Sequence, residues 1–220
     1  MAEPQANVIV IDDNPTVRQS LGSLLRSVGL QPSLLTSTAE FPTYVRPDVP
    51  CCLVLDVRLP GRSGIDFQRD LAAANIRLPV IFITGHGDIP MSVQAMKAGA
   101  IEFLSKPFRD QDLLDAINRG LAQGRAWLDS EKAMAALRAR FETLSPRERE
   151  VMALVVTGRV SKQIATDLGI GEVTTRFHHR QVMRKMRASS LPDLTRLADK
   201  LTLSRSHRVP PALVSPISLS

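Results

Sequence analysis

The sequence predicts an α/β protein with a five-stranded, doubly wound parallel sheet, followed by a small all-α domain. Three observations predict it. Four short apolar runs each stop at polar residues: 7–11 at Asp12-Asp13, 51–55 at Asp56, 80–83 at Thr84, and 101–104, one residue on, at Lys106-Pro107. Strand-like and helix-like segments alternate five times across residues 7–120. From about residue 142 the pattern is helical with short turns. Short, β-branched, continuously apolar runs are the mark of strands covered on both faces, and alternation with helices makes the sheet parallel.

The elements follow in order. After the first strand, a helix is expected over 14–28, with Pro15 in its first turn and Gly29 just past its end. A short strand is expected at 33–36 and an irregular helix at 38–45, where Pro42 removes a donor. The third strand is 51–56. The loop Arg58-Leu-Pro-Gly-Arg-Ser-Gly64 has turn chemistry, and a helix follows over 65–74. The fourth strand is 80–84, its helix 90–97, and the fifth strand 100–104. A last helix starts near Asp110. It continues as a helical linker over 121–141, weakened by Gly120 and Gly124. The domain plan is thus 1–120, the linker 121–141, a helical domain over 142–202, and a proline-containing tail over 203–220 expected to be disordered.

In the second domain, Ser145, Pro146 and Glu148 read as cap, first helical residue and capping-box partner. Helices are expected to Gly158, over 161–168, over 172–187 and over 191–201. Val173, Val182, Met183 and Met186 are read as facing inward, and Arg176, Arg180 and Arg184 as one basic stripe at every fourth position.

Charge divides the chain the same way. Residues 1–120 hold 11 Lys and Arg against 13 Asp and Glu, while 121–220 hold 17 against 9. A basic second half suggests a polyanion as partner. No apolar stretch approaches the roughly 20 residues of a membrane helix, and the first residues lack the pattern of a secretion signal. Cys51 and Cys52 are adjacent in a strand, so their side chains point to opposite faces and are poorly placed to pair. Both read as core thiols of a reducing compartment.

Ligands of open α/β sheets bind outside the carboxyl ends of the strands. Three carboxylates, a hydroxyl and an ammonium should therefore meet in one pocket. Carboxylates so close repel one another, and oxygen-only ligands on loops suit magnesium. Asp56 could then act as a nucleophile toward a phosphoryl group, with Lys106 offsetting charge and Thr84 donating to a phosphoryl oxygen.

Residues 5–120 resemble the receiver domain of two-component response regulators, through Asp12-Asp13, Asp56, Leu59-Pro-Gly-x-Ser-Gly64, Thr84, Ala98-Gly-Ala100 and Phe103-Leu-Ser-Lys106-Pro107. The run from Thr84 to Ala100 resembles the FixJ/TodT branch. The resemblance implies a flavodoxin-like fold in which Asp56 accepts phosphate from a histidine kinase. It makes Asp13, Asp56 and the Arg58 carbonyl ligands of Mg2+, with Asp12 in the acidic shell. It makes Lys106, with a cis bond to Pro107, the phosphoryl-binding cation, and Thr84 and Phe103 the switch pair. Arg58 and His86 stand where receivers tune dephosphorylation.

Residues 142–201 resemble the LuxR/NarL-type helix-turn-helix, through Leu144-Ser-Pro-Arg-Glu-Arg-Glu-Val, Lys162-Gln-Ile-Ala and the run from Glu172 to Met186. By resemblance Arg176, Phe177 and Arg180 face base edges, and Lys162, Thr174, His178 and Lys185 touch the DNA backbone. Thr175 stands where the family usually has Val, and Gly171 where it often has Ser or Asp. The expected protein is a phosphorylation-controlled transcriptional regulator in the cytoplasm. It dimerises on activation, contacts RNA polymerase, activates rather than represses, and is not a turnover enzyme. The rivals are an aspartyl phosphohydrolase, which Asp56-Val-Arg58 fits poorly for want of a second carboxylate, a ligand-sensing regulator, and a phosphate-independent LuxR-type regulator.

Overall fold

In the computed structural model, residues 6–85 and 89–206 are described. The chain divides into two compact units, Met1–Ser130 and Glu131–Ser220. The first unit contains strands β1 (Asn7–Ile11), β2 (Gln31–Leu35), β3 (Cys51–Asp56), β4 (Val80–Thr84) and β5 (Glu102–Ser105). Helices α1 (Pro15–Ser27), α2 (Gly64–Ala73), α3 (Ile89–Lys97) and the start of α4 (Asp110–Glu142) alternate with them, and a 3-10 helix spans Thr38–Thr43. The strands pair in parallel in the order β2-β1-β3-β4-β5. The direction of strand order reverses at β1 and β3, which opens the crevice where such sheets bind ligands.

Every residue of β1, β3 and β4 is buried, because helices cover both faces. On one face Ile9, Ile11, Leu53, Leu55 and Phe82 pack with Ile65, Phe67 and Leu71 of α2. On the other, Val8, Val10, Val54, Ile81 and Ile83 pack with Leu21 and Leu25 of α1 and Leu113, Ile117 and Leu121 of α4. Cys51 lies with the first set and Cys52 with the second, both as free thiols, so the alternation of the strand keeps them apart. Asn14 caps α1 through its side chain, accepting from the Thr16 and Val17 amides.

The strand limits differ from the expectation at the two edges. β2 begins two residues earlier than expected and β5 runs Glu102–Ser105. These strands are half-buried, so burial marks their ends less sharply than those of β1, β3 and β4. Helix α4 is unbroken over 33 residues, through both glycines. The glycines are there for closeness. A Cβ on Gly120 would lie 3.1 Å from the Cys52 Cβ, and one on Gly124 would lie 2.5 Å from the Cys51 carbonyl oxygen.

The second unit contains the end of α4 with α5 (Pro146–Val155), α6 (Ser161–Leu168), α7 (Glu172–Met186) and α8 (Leu191–Ser206). Its core includes Leu137, Leu144, Val151, Met152, Val155, Ile164, Val182, Met186 and Leu194. Helix α8 continues through Ser206, into the segment expected to be a disordered tail. The rest of that segment, 207–220, and His86 lie outside the described residues. Val173 corrects the expected inward set: it is 81% exposed, while Val182 and Met186 are buried.

Candidate functional site: an acidic pocket and a basic helix

The ends of β1, β3 and β4 and the residue after β5 bring the polar set together. Asp12 is fully buried, Asp56 and Thr84 are buried, and Asp13 is exposed. Asp12, Asp13 and Asp56 each offer a carboxylate oxygen, and the three lie within 4.8 Å of one another. Lys106 Nζ donates to Asp12 Oδ2 and to Asp56 Oδ2, each at 2.7 Å. The loops hold the other oxygens: the Asn14 amide donates to Asp12 Oδ1 at 2.9 Å and the Arg58 amide to Asp56 Oδ1 at 2.9 Å.

Local chain chemistry sets this geometry. Pairing of Arg58 with Ser63 closes the loop after β3, and the Gly64 amide donates to the Val57 carbonyl at 2.9 Å. A Cβ on Gly64 would collide with the Asp56 carbonyl oxygen, so the start of α2 can approach the end of β3 only with glycine there. After β5, the Lys106 amide donates to the Thr84 carbonyl at 2.7 Å, and the Lys106–Pro107 bond is cis. Phe103 is half-buried, its ring centroid 6.4 Å from that of Phe82.

Electrostatics follow from burial. Burial pushes the Asp12 carboxyl above its usual value, and the Lys106 hydrogen bond and charge only partly oppose that. For Lys106, burial lowers the pKa, but hydrogen bonds and attraction from Asp12 and Asp56 outweigh it and hold the ammonium above the usual lysine value. The pocket is an all-oxygen anionic cradle with the Lys106 ammonium at its side. Such donors fit a hard divalent cation.

Two contacts escaped the sequence reading. Arg18 Nη1 donates to the Asp12 carbonyl at 2.6 Å, from the first turns of α1. Glu148, read only as a capping residue, is a buried carboxylate. It accepts from the Ser145 amide at 2.7 Å and from Lys185 Nζ at 2.6 Å. The first could have been suspected from an arginine one turn into a helix that starts beside an acid pair. The second joins residues 37 apart, and no local pattern announces it.

In the second unit, Gly169 ends α6 in the left-handed conformation and Gly171 begins α7 without a side-chain cap. Thr175 is fully buried, and its hydroxyl donates to the Gly171 carbonyl at 3.2 Å, so this Thr in a usual Val position is satisfied by its own helix. Arg176, Phe177, Arg180, Lys162 and Thr174 are exposed, and His178 is half-buried with its ring edge-on to Phe177 at 5.7 Å. Arg176 pairs with Glu172 one turn back. Lys185 departs from the expectation of a backbone contact: its ammonium is held by Glu148 and by the Thr143 carbonyl at 3.1 Å.

A parallel sheet with this pocket at its carboxyl edge, continued into a helix-turn-helix unit, defines a signal receiver joined to a DNA-binding output. Residues 8–118 match the family "Response regulator receiver domain" and 142–198 match "Bacterial regulatory proteins, luxR family". Nodulation protein W of Bradyrhizobium diazoefficiens is 52% identical over 206 residues, covering 94% of this chain and 91% of its own length. Transcriptional regulatory protein FixJ of Rhizobium meliloti is 43% identical over 195 residues, covering 87% and 94%. The solved structure of response regulator StyR superposes with a TM-score of 0.77 at 44% identity, covering 89% of this chain and 99% of that one. The chain belongs to the two-component response regulators that carry a receiver domain and a LuxR-type DNA-binding domain.

Proposed function

We propose that Asp56 is the phosphoacceptor and that its phosphorylation by a histidine kinase controls binding of the basic domain to DNA. The observation that carries this is the convergence of Asp12, Asp13 and Asp56 within 4.8 Å, with Lys106 bonded at 2.7 Å to two of them. In the transfer, an oxygen of Asp56 forms a bond to phosphorus as the phosphorus–nitrogen bond of the kinase phosphohistidine breaks. The electron pair leaves with the imidazole, which takes up a proton. A carboxylate nucleophile needs no general base to activate it.

Asp13, Asp56 and the Arg58 carbonyl would hold Mg2+, with Asp12 beside them. The bound ion would offset the charge that three carboxylates and a phosphoryl group bring together. Lys106, already aimed at Asp56, keeps one phosphoryl oxygen neutralised, and the Thr84 hydroxyl turns to another. The Phe103 ring then fills the space Thr84 leaves, and the receiver shifts to a pre-existing active state. That state dimerises, sets two α7 helices on paired half-sites and contacts RNA polymerase. The setting is the cytoplasm, where bacterial DNA lies. Arg176, Phe177 and Arg180 read bases, while Lys162, Thr174 and His178 touch the backbone; Lys185 works mainly as an internal tie. The protein is a regulator and not a turnover enzyme, because Asp56-Val-Arg58 lacks the second carboxylate of an aspartyl phosphohydrolase.

The test is DNA-binding selection with full-length protein, with and without beryllofluoride and Mg2+. Enrichment of paired half-sites only with the phosphate mimic is expected, and it should vanish in Asp56→Asn. Equal enrichment in both arms would overturn phosphate control.

A further inference from the structure

The outer face of α7 is not purely basic. Thr175, Val182 and Met186 are the buried residues of this helix and define its inward direction. At about 100° per residue, Val173, Phe177, Arg180 and Arg184 all fall within about 40° of the opposite direction, whereas Arg176 falls about 80° away. Arg176 is also paired with Glu172. The most outward residues of the first two turns are therefore two apolar side chains one turn apart, Val173 at 81% exposure and Phe177 at 56%. Exposed large apolar side chains on the element that meets a ligand mark contact area.

The chemistry of the DNA major groove offers one apolar group, the C5-methyl of thymine. The amino-terminal residues of a recognition helix are the ones that reach base edges. Val173 and Phe177 stand there, with Arg180 on the same face at the next turn, where it can take guanine O6 and N7.

We propose that Val173 and Phe177 form an apolar strip that reads thymine methyl groups, beside a guanine read by Arg180. This rests on the regulator reading above and adds the base class. Each half-site should then contain at least one thymine whose methyl matters as much as its pairing edge.

The test uses full-length protein with beryllofluoride and Mg2+ on DNA selected from a random pool. Each thymine of the half-site is replaced, one at a time, by deoxyuridine, which lacks only the methyl. Loss of one buried methyl should weaken binding about fourfold at one or two positions. Val173→Ser should erase the penalty at one of them and Phe177→Ala at the other, while Val173→Thr, which keeps a methyl, should retain part of it. Both residues are exposed, so folding is not at stake. A flat uracil scan on specifically bound DNA, or selected half-sites without thymine, would overturn this inference alone. Failure to select any DNA would overturn the regulator reading with it.

Discussion

Lys106 Nζ lies 2.7 Å from Asp56 Oδ2, so the cation proposed to neutralise a phosphoryl group is already bonded to the carboxylate proposed to accept it. The same ammonium is bonded to the fully buried Asp12. Lys106→Met should leave both carboxylates without their cation. Phosphotransfer from a kinase or from acetyl phosphate should slow by about 100-fold, the loss of about 3 kcal/mol of transition-state stabilisation. A time course of acid-labile phosphate on Asp56 measures it, and an unchanged rate would contradict the role given to Lys106.

The Lys106 pKa is raised in the folded protein, so its contribution to stability is fully present below the unfolded lysine value of 10.5 and is lost as pH rises through the higher folded value. Thermal melts from pH 9.5 to 12 should show a steeper fall for the wild type than for Lys106→Met. Parallel curves would contradict the coupling.

A cation bound only by the folded receiver raises its melting temperature by mass action. Saturating Mg2+ should raise the melting temperature of the wild type by several degrees, and the rise should shrink in Asp13→Asn, since Asp13 is the exposed member of the triad and its loss removes a carboxylate from the proposed site without emptying the core. Equal rises in both proteins would remove Asp13 from the site.

The buried Glu148 ties the cap of α5 to Lys185 of α7. Burial works against its charge, but the Lys185 and Ser145 hydrogen bonds prevail and its pKa lies below the usual 4.5. Stability from this group is present above pH 4.5 and is lost as pH falls through the lower folded value. Lys185→Ala should destabilise the second unit by about 2 kcal/mol, a buried-pair penalty reduced for the partial exposure of Lys185. The slope of DNA affinity against salt separates the two roles. Lys162→Ala should reduce the slope by about one counterion and Lys185→Ala should not.

Gly124→Ala tests the contact of α4 with the sheet. Alanine favours a helix by about 1 kcal/mol over glycine, yet its methyl would meet the Cys51 carbonyl oxygen at 2.5 Å. Overpacking costs about 1–3 kcal/mol, so net destabilisation is expected. The single tryptophan, Trp127, sits one turn further along the same helix and reports unfolding by fluorescence.

Much of this was legible in one dimension because its causes are local. The runs 7–11, 51–55 and 80–83 announce β1, β3 and β4, since a strand covered on both faces is apolar at nearly every position. The polar residue ending each run then falls at the carboxyl edge, which is why Asp12, Asp13, Asp56, Thr84 and Lys106 could be assembled from the sequence. Ser145 and Glu148 marked the start of α5 because a capping box is a three-residue pattern.

By itself, then, the sequence determined the order of elements, the members of the acidic pocket and the division into an acidic and a basic half. Only the tertiary structure decided which way particular side chains turn. Val173 points outward because Thr175, Val182 and Met186 take the inner face of α7. Lys185 is drawn off by a carboxylate 37 residues away. Gly120 and Gly124 do not break their helix because they serve the sheet beneath it. The physical reason is range: strand ends, caps and turns depend on neighbours in the chain, whereas facing and pairing depend on residues that only folding brings near.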